Sequence, residues 1–189
     1  MANKIVCIVG MPGSGKSVVS DDLMEKGFSY LRFGQITLDR MKESGLEVSE
    51  ENERMVREEI RKEHGMGAFA TLNIPKIDEM IGKSSVVVDG LYSWSEYKIL
   101  KGKYGNSMLV VAVFAPPETR YERLVNRAVK NDSAERFRSI SRGDAMSRDY
   151  AEIEHLEKGG PIAMADFTLV NTGTIEDLKK AVGEVLKKI

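Results

Sequence analysis

Ile5-Val6-Cys7-Ile8-Val9-Gly10-Met11-Pro12-Gly13-Ser14-Gly15-Lys16-Ser17 carries the reading of the whole chain. Its first five residues are apolar and mostly β-branched, without the alternation of a half-exposed strand. They predict a strand buried on both faces, as in a parallel sheet. The strand stops at Gly10, and Gly10 to Ser17 fit the pattern G-x-x-x-x-G-K-S. Gly10, Gly13 and Gly15 permit a tight loop whose backbone N–H groups turn inward around phosphate oxygens, with Met11, Pro12 and Ser14 completing the cradle. A helix predicted over residues 17–26 adds its positive end. Lys16 then reaches the β- and γ-phosphates, and the Ser17 hydroxyl binds Mg²⁺. A glycine-rich turn with a surface lysine is the alternative, and the buried strand before the loop and the helix after it argue against that.

Outward from this loop the same grammar repeats. Val86-Val87-Val88, residues 108–114 (MLVVAVF) and residues 167–170 (FTLV) read as further buried strands, and residues 29–33 (SYLRF) as a weaker one. Helical patterns lie between them. One covers residues 49–63, with Ser49 as N-cap. Another follows Pro117, with Leu124 and Val125 facing inward, and a last one spans residues 175–189 with Leu178, Val182, Val185 and Leu186 on one face. The alternation predicts an α/β fold with a five-stranded parallel sheet between helical layers, in one domain of 189 residues. Residues 34–83 and 128–160 are too long for simple crossovers and read as helical insertions over one sheet edge, where open α/β sheets bind ligands.

Composition bounds the function. Charged residues make up 30% and hydrophobic ones 42%, as in ordinary globular proteins, and the net charge of −1 gives no global case for nucleic acid or an anionic membrane. The single cysteine, Cys7, excludes an intramolecular disulfide and suits a reducing, cytoplasmic setting. Inside a buried strand it reads as inert core. No apolar run approaches the about 18 residues a membrane span needs, and the N-terminus lacks the features of a signal peptide.

Val86-Val87-Val88-Asp89-Gly90 resembles a second nucleotide motif, an apolar strand ending in an acid placed near Mg²⁺, although an Asp-Gly pair also makes ordinary turns. The segment from Arg120 to Arg148 holds an excess of four positive charges, nearly all arginine, with Arg120, Arg123 and Arg127 on one helix face. Arginine suits bidentate contacts to phosphate, and phosphoryl transfer needs charge stabilisation around the transferred group. Arg123, Arg127, Arg136 and Arg142 are therefore the candidates of a lid, against the plainer reading of a solvated face. Arg54, Arg57 and Arg61 also share a face. They either pair with Glu53 and Glu58 in solvent or recognise a phosphorylated acceptor. His64 and His155 lack partners at metal spacing, which argues against zinc. Tyr92, Trp94 and Tyr97 read as loop packing ahead of base stacking.

The phosphate loop, the VVVDG strand, the arginine-rich segment after Pro116-Pro117 and the stretch Ala165-Asp166-Phe167-Thr168-Leu169-Val170-Asn171-Thr172-Gly173-Thr174 together resemble the dephospho-CoA kinase and nucleoside monophosphate kinase group of P-loop kinases. The middle region, with Gly34-Gln35, Glu51-Asn52-Glu53 and Ile74-Pro75-Lys76, is most similar to an archaeal-type dephospho-CoA kinase-like branch. The resemblance implies the three-layer P-loop fold, an acceptor-binding region at 34–83 and a lid at 128–160. It implies ATP phosphates on residues 10–17 and Asn171 and Gly173 near the adenine, with a looser match at Arg142. Together with the motif and arginine readings, this gives ATP and Mg²⁺ as cofactors, Lys16, Asp89, Arg123, Arg127 and Arg142 as catalytic residues, and Ser17 and Asp89 at the metal. Neither acceptor signature of the group is reproduced: Gly34 is followed by Gln35, the nearest arginine is Arg40, and the nearest acid is Asp39.

These readings converge on an ATP-dependent small-molecule kinase acting on a nucleotide-like acceptor, with Asp39 or Asp89 as base if that acceptor is a hydroxyl. An ATP-binding regulator or slow ATPase is the alternative. The guanine and switch motifs of a GTPase do not occur, and a nucleic-acid kinase has only the basic lid in its favour.

Overall fold

The computed structural model describes residues 2–127 and 140–189. Lid candidate Arg136 and most of the basic stretch after Arg127 lie outside the described residues. Five strands form one parallel sheet in the order β2-β3-β1-β4-β5, with β1 Ile5–Val9, β2 Ser29–Arg32, β3 Val86–Asp89, β4 Met108–Phe114 and β5 Phe167–Val170. The α/β expectation with a five-stranded parallel sheet is met. β1 lies at the centre, with Ile5 opposite Val86 on one side and Met108 on the other.

Period-two alternation explains why β1 is apolar throughout. Ile5, Cys7 and Val9 join a core with Val86, Val88, Phe33, Met41, Ile60, Phe69 and Leu100. Val6 and Ile8 point the other way, into a core with Val19, Leu23, Leu169, Leu178 and Val182. The second layer comes from α1 Lys16–Glu25 and α9 Ile175–Leu186. The first comes from α2 Gln35–Glu43, α3 Glu50–His64, α4 Ala68–Ile81 and α5 Trp94–Tyr104. Among the described residues, no helix is long and apolar enough to cross a membrane.

Two details differ from the sequence reading. Residues 34–83 divide. α2 packs on α3 and α3 on α4, sending Met41, Val56 and Ile60 into the same core, whereas α4, with Ala68, Phe69, Ala70 and Ile77, packs on β3 and α5. It is the crossover helix between β2 and β3. On α6 Pro117–Val125, Leu124 is buried with Tyr121 and Ala145, but Val125 is exposed. One step of 100° carries it off the face that meets α7 Arg142–Glu154. The predicted N-cap holds, since Ser49 Oγ accepts from the Asn52 N–H at 3.1 Å. The chain then passes through the short α8 Gly159–Ala163 to β5.

All five strands end at one sheet edge, which brings Gly10, Asp89, Phe114 and Val170 to the same side. Ile8 is fully buried in the central strand, so Ile8→Ala is expected to cost about 2–5 kcal/mol in denaturant unfolding. Val170→Ala, at an exposed position of the edge strand, is expected to stay within about 0.5 kcal/mol.

Candidate nucleotide site

The loop between β1 and α1 is built around its glycines. Gly10, Gly13 and Gly15 all have positive φ, at 141°, 78° and 105°. A Cβ on Gly13 would stand 2.6 Å from the Arg120 carbonyl oxygen, and one on Gly15 would stand 2.2 Å from Asn171 Nδ2. Both backbone shape and space therefore demand glycine. Loops of this kind turn backbone N–H groups towards phosphate oxygens. Lys16 Nζ donates to the carbonyls of Gly10 at 2.9 Å and Met11 at 3.2 Å, so the ammonium lies along the loop it would serve. Burial, then the neighbouring Lys158, bring its pKa down to about 7, against the pull of Asp89 and Glu152.

Asp89 ends β3 beside β1, and its Oδ2 accepts from the Tyr30 hydroxyl at 3.0 Å. Its carboxylate acts on Lys16, so the structure brings these two predicted residues together. Ser17 and Asp89 supply hard oxygen donors, the type Mg²⁺ takes alongside phosphate oxygens, and the donor set fits that ion.

The arginines separate. Arg123 Nη2 donates to the Asn171 carbonyl at 3.0 Å, and its Nη1 is buried without a hydrogen-bond partner among the described residues. Arg127 is half-buried, with burial and then Arg148 lowering its pKa. Arg142 is not brought to the loop. It is exposed, pairs with Glu118 and lies 5.6 Å over the Tyr121 ring. Asn171 is buried and committed to the loop, its Nδ2 donating to the Ser14 carbonyl at 2.7 Å. Gly173 is exposed and abuts the Asp177 carboxylate that caps α9.

Residues outside the candidate catalytic set also border the loop. Arg120 is 4% exposed and binds three elements at once. It donates to the Pro12 carbonyl at 3.1 Å, to the Ala115 carbonyl at 3.1 Å, and in fork geometry to Asp149 at 2.9 and 2.6 Å. The helical periodicity placed Arg120 on the right face, but only the tertiary contacts distinguish it from Arg123 and Arg127. Lys158, Glu152 and Arg148 converge near Lys16, and no local pattern announces them.

On the other flank, Arg57 pairs with Glu53 at 3.0 Å and Arg54 is exposed, whereas Arg61 turns inward over the Phe69 ring at 5.1 Å. There it acts on Glu96, which is fully buried. Glu96 Oε2 accepts from the Tyr92 and Ser93 N–H groups, while its Oε1 and the Arg61 Nε have no hydrogen-bond partner among the described residues. Trp94 stacks on Tyr97 at 5.0 Å and abuts Gly160, which is the packing expected of that loop.

Residues 6–143 match the family model described as an AAA domain. A UPF0200 protein of Sulfurisphaera tokodaii is 38% identical, with 98% of this chain and 97% of that protein covered. A UPF0200 protein of Thermococcus kodakarensis is 35% identical over 98% of this chain and 100% of its own. The chain belongs to both families. Among solved structures, TT1252 from Thermus thermophilus has a TM-score of 0.58 at 21% identity, covering 100% of this chain and 99% of that one. A shikimate kinase from Acinetobacter baumannii has a TM-score of 0.57 at 16% identity, covering 98% of this chain and 94% of its own. At these identities the likeness shows the fold: this UPF0200 protein has the architecture of the P-loop kinases.

Burial pushes the Glu96 carboxyl up to about 7 from an ordinary 4.5. The folded protein therefore holds a proton that the unfolded chain releases, and this contribution is complete below about 4.5 and lost as pH rises through 7. Glu96→Gln should gain roughly 2–3 kcal/mol relative to wild type between pH 5 and pH 8, measured by urea unfolding. A gap that stays constant with pH would show that Glu96 ionises normally in the fold.

Proposed function

We propose that this UPF0200 protein is an ATP-dependent small-molecule kinase. In this reading it transfers the γ-phosphoryl group to a nucleotide-like acceptor of the dephospho-CoA or nucleoside monophosphate type. The observation that carries the reading is the loop itself: a cradle closed to side chains at Gly10, Gly13 and Gly15, with Lys16 lying along it and the Asp89 carboxylate acting on that ammonium. ATP with Mg²⁺ supplies the activated phosphoryl group. Residues 10–17 hold its phosphates, Lys16 neutralises the β- and γ-oxygens, and the Ser17 hydroxyl and Asp89 carboxylate hold the metal. Arg123 and Asn171 flank the nucleotide on the β5 side, with Gly173 beyond them.

Arg123 and Arg127 are the lid-side arginines closest to this task. Arg142 joins them only by leaving Glu118, a pair exposed enough to exchange at little cost. In this reading the acceptor belongs under α2 and α3, near Arg61 and Glu96, whose Nε and Oε1 are buried without a hydrogen-bond partner among the described residues. Asp39, hydrogen-bonded to Gln35 at 3.0 Å, or Asp89 takes the proton if the acceptor is a hydroxyl. Solved relatives of the fold include a sugar kinase and a shikimate kinase, which is the general class of reaction proposed here.

The test is ATP consumption with Mg²⁺ in the presence of dephospho-CoA, each common nucleoside monophosphate, or no acceptor. One acceptor should stimulate turnover strongly. Lys16→Ala should abolish turnover and weaken ATP binding about tenfold or more, with unchanged thermal unfolding. Slow consumption that no acceptor stimulates would favour an ATP-binding regulator. Unchanged turnover in Lys16→Ala would remove the loop from the mechanism.

A further inference from the structure

The charges gathered about Lys16 do not balance. Its ammonium is acted on by two carboxylates, Asp89 and Glu152, and by two further cations, Lys158 and Arg148. Lys158 is the unusual member. It precedes α8, far from the phosphate loop in sequence, yet it is 1% exposed. Its Nζ pairs with Glu152 Oε2 and lies 4.8 Å over the Tyr92 ring. Glu152 also accepts from Arg148 Nε at 3.1 Å, so one carboxylate organises two cations.

A buried ion pair rarely repays its desolvation, and well-packed apolar residues of similar size do at least as well. Placing such a pair beside the half-buried Lys16 ammonium makes the arrangement costlier still, unless a polyanion arrives to share the charge. The position is held firmly. Gly160 of α8 abuts Trp94, where a Cβ would stand 2.9 Å from the ring, so α8 is docked on α5 and cannot drift from the site. The sheet order sets the flank. Tyr92 follows β3, on the side of β1 away from β4 and β5, whereas Arg123 and Asn171 lie on the β4–β5 side. A nucleotide with its base towards Asn171 would direct its phosphate tail towards Lys158.

We propose that Lys158 is a second phosphate-binding lysine, held by Glu152 opposite Lys16 and passed to the terminal phosphoryl oxygens of a bound nucleoside triphosphate. The inference rests on the nucleotide-binding reading above and adds to it a contact specific to the third phosphate. No bond is made or broken in this step: Lys158 exchanges one anionic partner for another, and Arg148 remains to neutralise Glu152.

Calorimetric titration with Mg·ADP and with a Mg-bound non-hydrolysable ATP analogue tests it, on wild type, Lys158→Gln, Lys158→Arg and the double variant Glu152→Gln with Lys158→Gln. Lys158→Gln should weaken the triphosphate about tenfold or more and the diphosphate by no more than about twofold, and Lys158→Arg should retain most of the affinity. The double variant removes the buried pair without leaving a lone charge. It should remain as weak for the triphosphate as Lys158→Gln, and it serves if the single variant does not fold. Recovery of wild-type triphosphate affinity in the double variant, or unchanged binding in Lys158→Gln, would reduce Lys158 to a counter-ion of Glu152 and overturn the proposal. Wild type that binds the diphosphate normally but shows no loss in these variants leaves the nucleotide reading standing. Wild type that binds neither nucleotide overturns that reading and this inference together.

Discussion

The phosphate loop has no room for a Cβ at Gly10, Gly13 or Gly15, and the rest of the structure depends on that exclusion. Each of its glycines faces a different element: Gly10 the Val113 carbonyl of β4, Gly13 the first turn of α6, and Gly15 the Asn171 side chain just after β5. These neighbours are more than a hundred residues away along the chain, as the Arg120 contact to Pro12 and the Asn171 contact to Ser14 show. The loop looks like a local motif, but its shape is imposed by the completed sheet. Backbone at Val113 and Arg120 and the Asn171 side chain leave these three positions to glycine.

A second order is electrostatic. The interior of the site is built from cations that share carboxylates: Arg120 with Asp149, Lys158 and Arg148 with Glu152, Lys16 with Asp89 in reach. Burial works against ionisation of Glu152, but Lys158 and Arg148 outweigh it and hold the carboxyl well below the usual range. Tyr92, half-buried beside Asp89 and Glu152, has its phenol pKa raised by burial and then by those carboxylates, so it keeps its proton. The helix pair α6 and α7 supplies the brace on the loop, Arg120 with Asp149, and α7 also carries Arg148 and Glu152.

Much of this was legible in the sequence, for identifiable reasons. The unbroken apolar run before Gly10 marked the central strand because a strand covered on both faces loses its alternation. Asp89 was legible as the acid ending such a strand, and Ser49 as a cap because its hydroxyl serves the local backbone. What stayed hidden depended on distance along the chain. Lys158 sits in an unremarkable Glu-Lys-Gly-Gly stretch, and its meaning comes from Glu152 and Tyr92. Arg120, Arg123 and Arg127 share one periodicity, yet one is a structural clamp, one touches Asn171 and one lies by Arg148. Periodicity assigns a face and cannot say what the face meets. The arginines of α3 divided for the same reason, with Arg61 drawn inward over Phe69 and Arg57 held at the surface by Glu53.

The place of Cys7 makes the chain its own clock. The only thiol in the molecule lies in the middle of the central strand, fully buried, with its pKa pushed up to about 12 by that burial. A thiol reagent meets a reactive sulfur only when the core around the central strand opens, since Cys7 is packed with residues of α2, α3 and α4 as well as of the neighbouring strands. The rate of labelling thus times the opening of that core. Any slowing by a bound molecule would measure how strongly that molecule ties the sheet together.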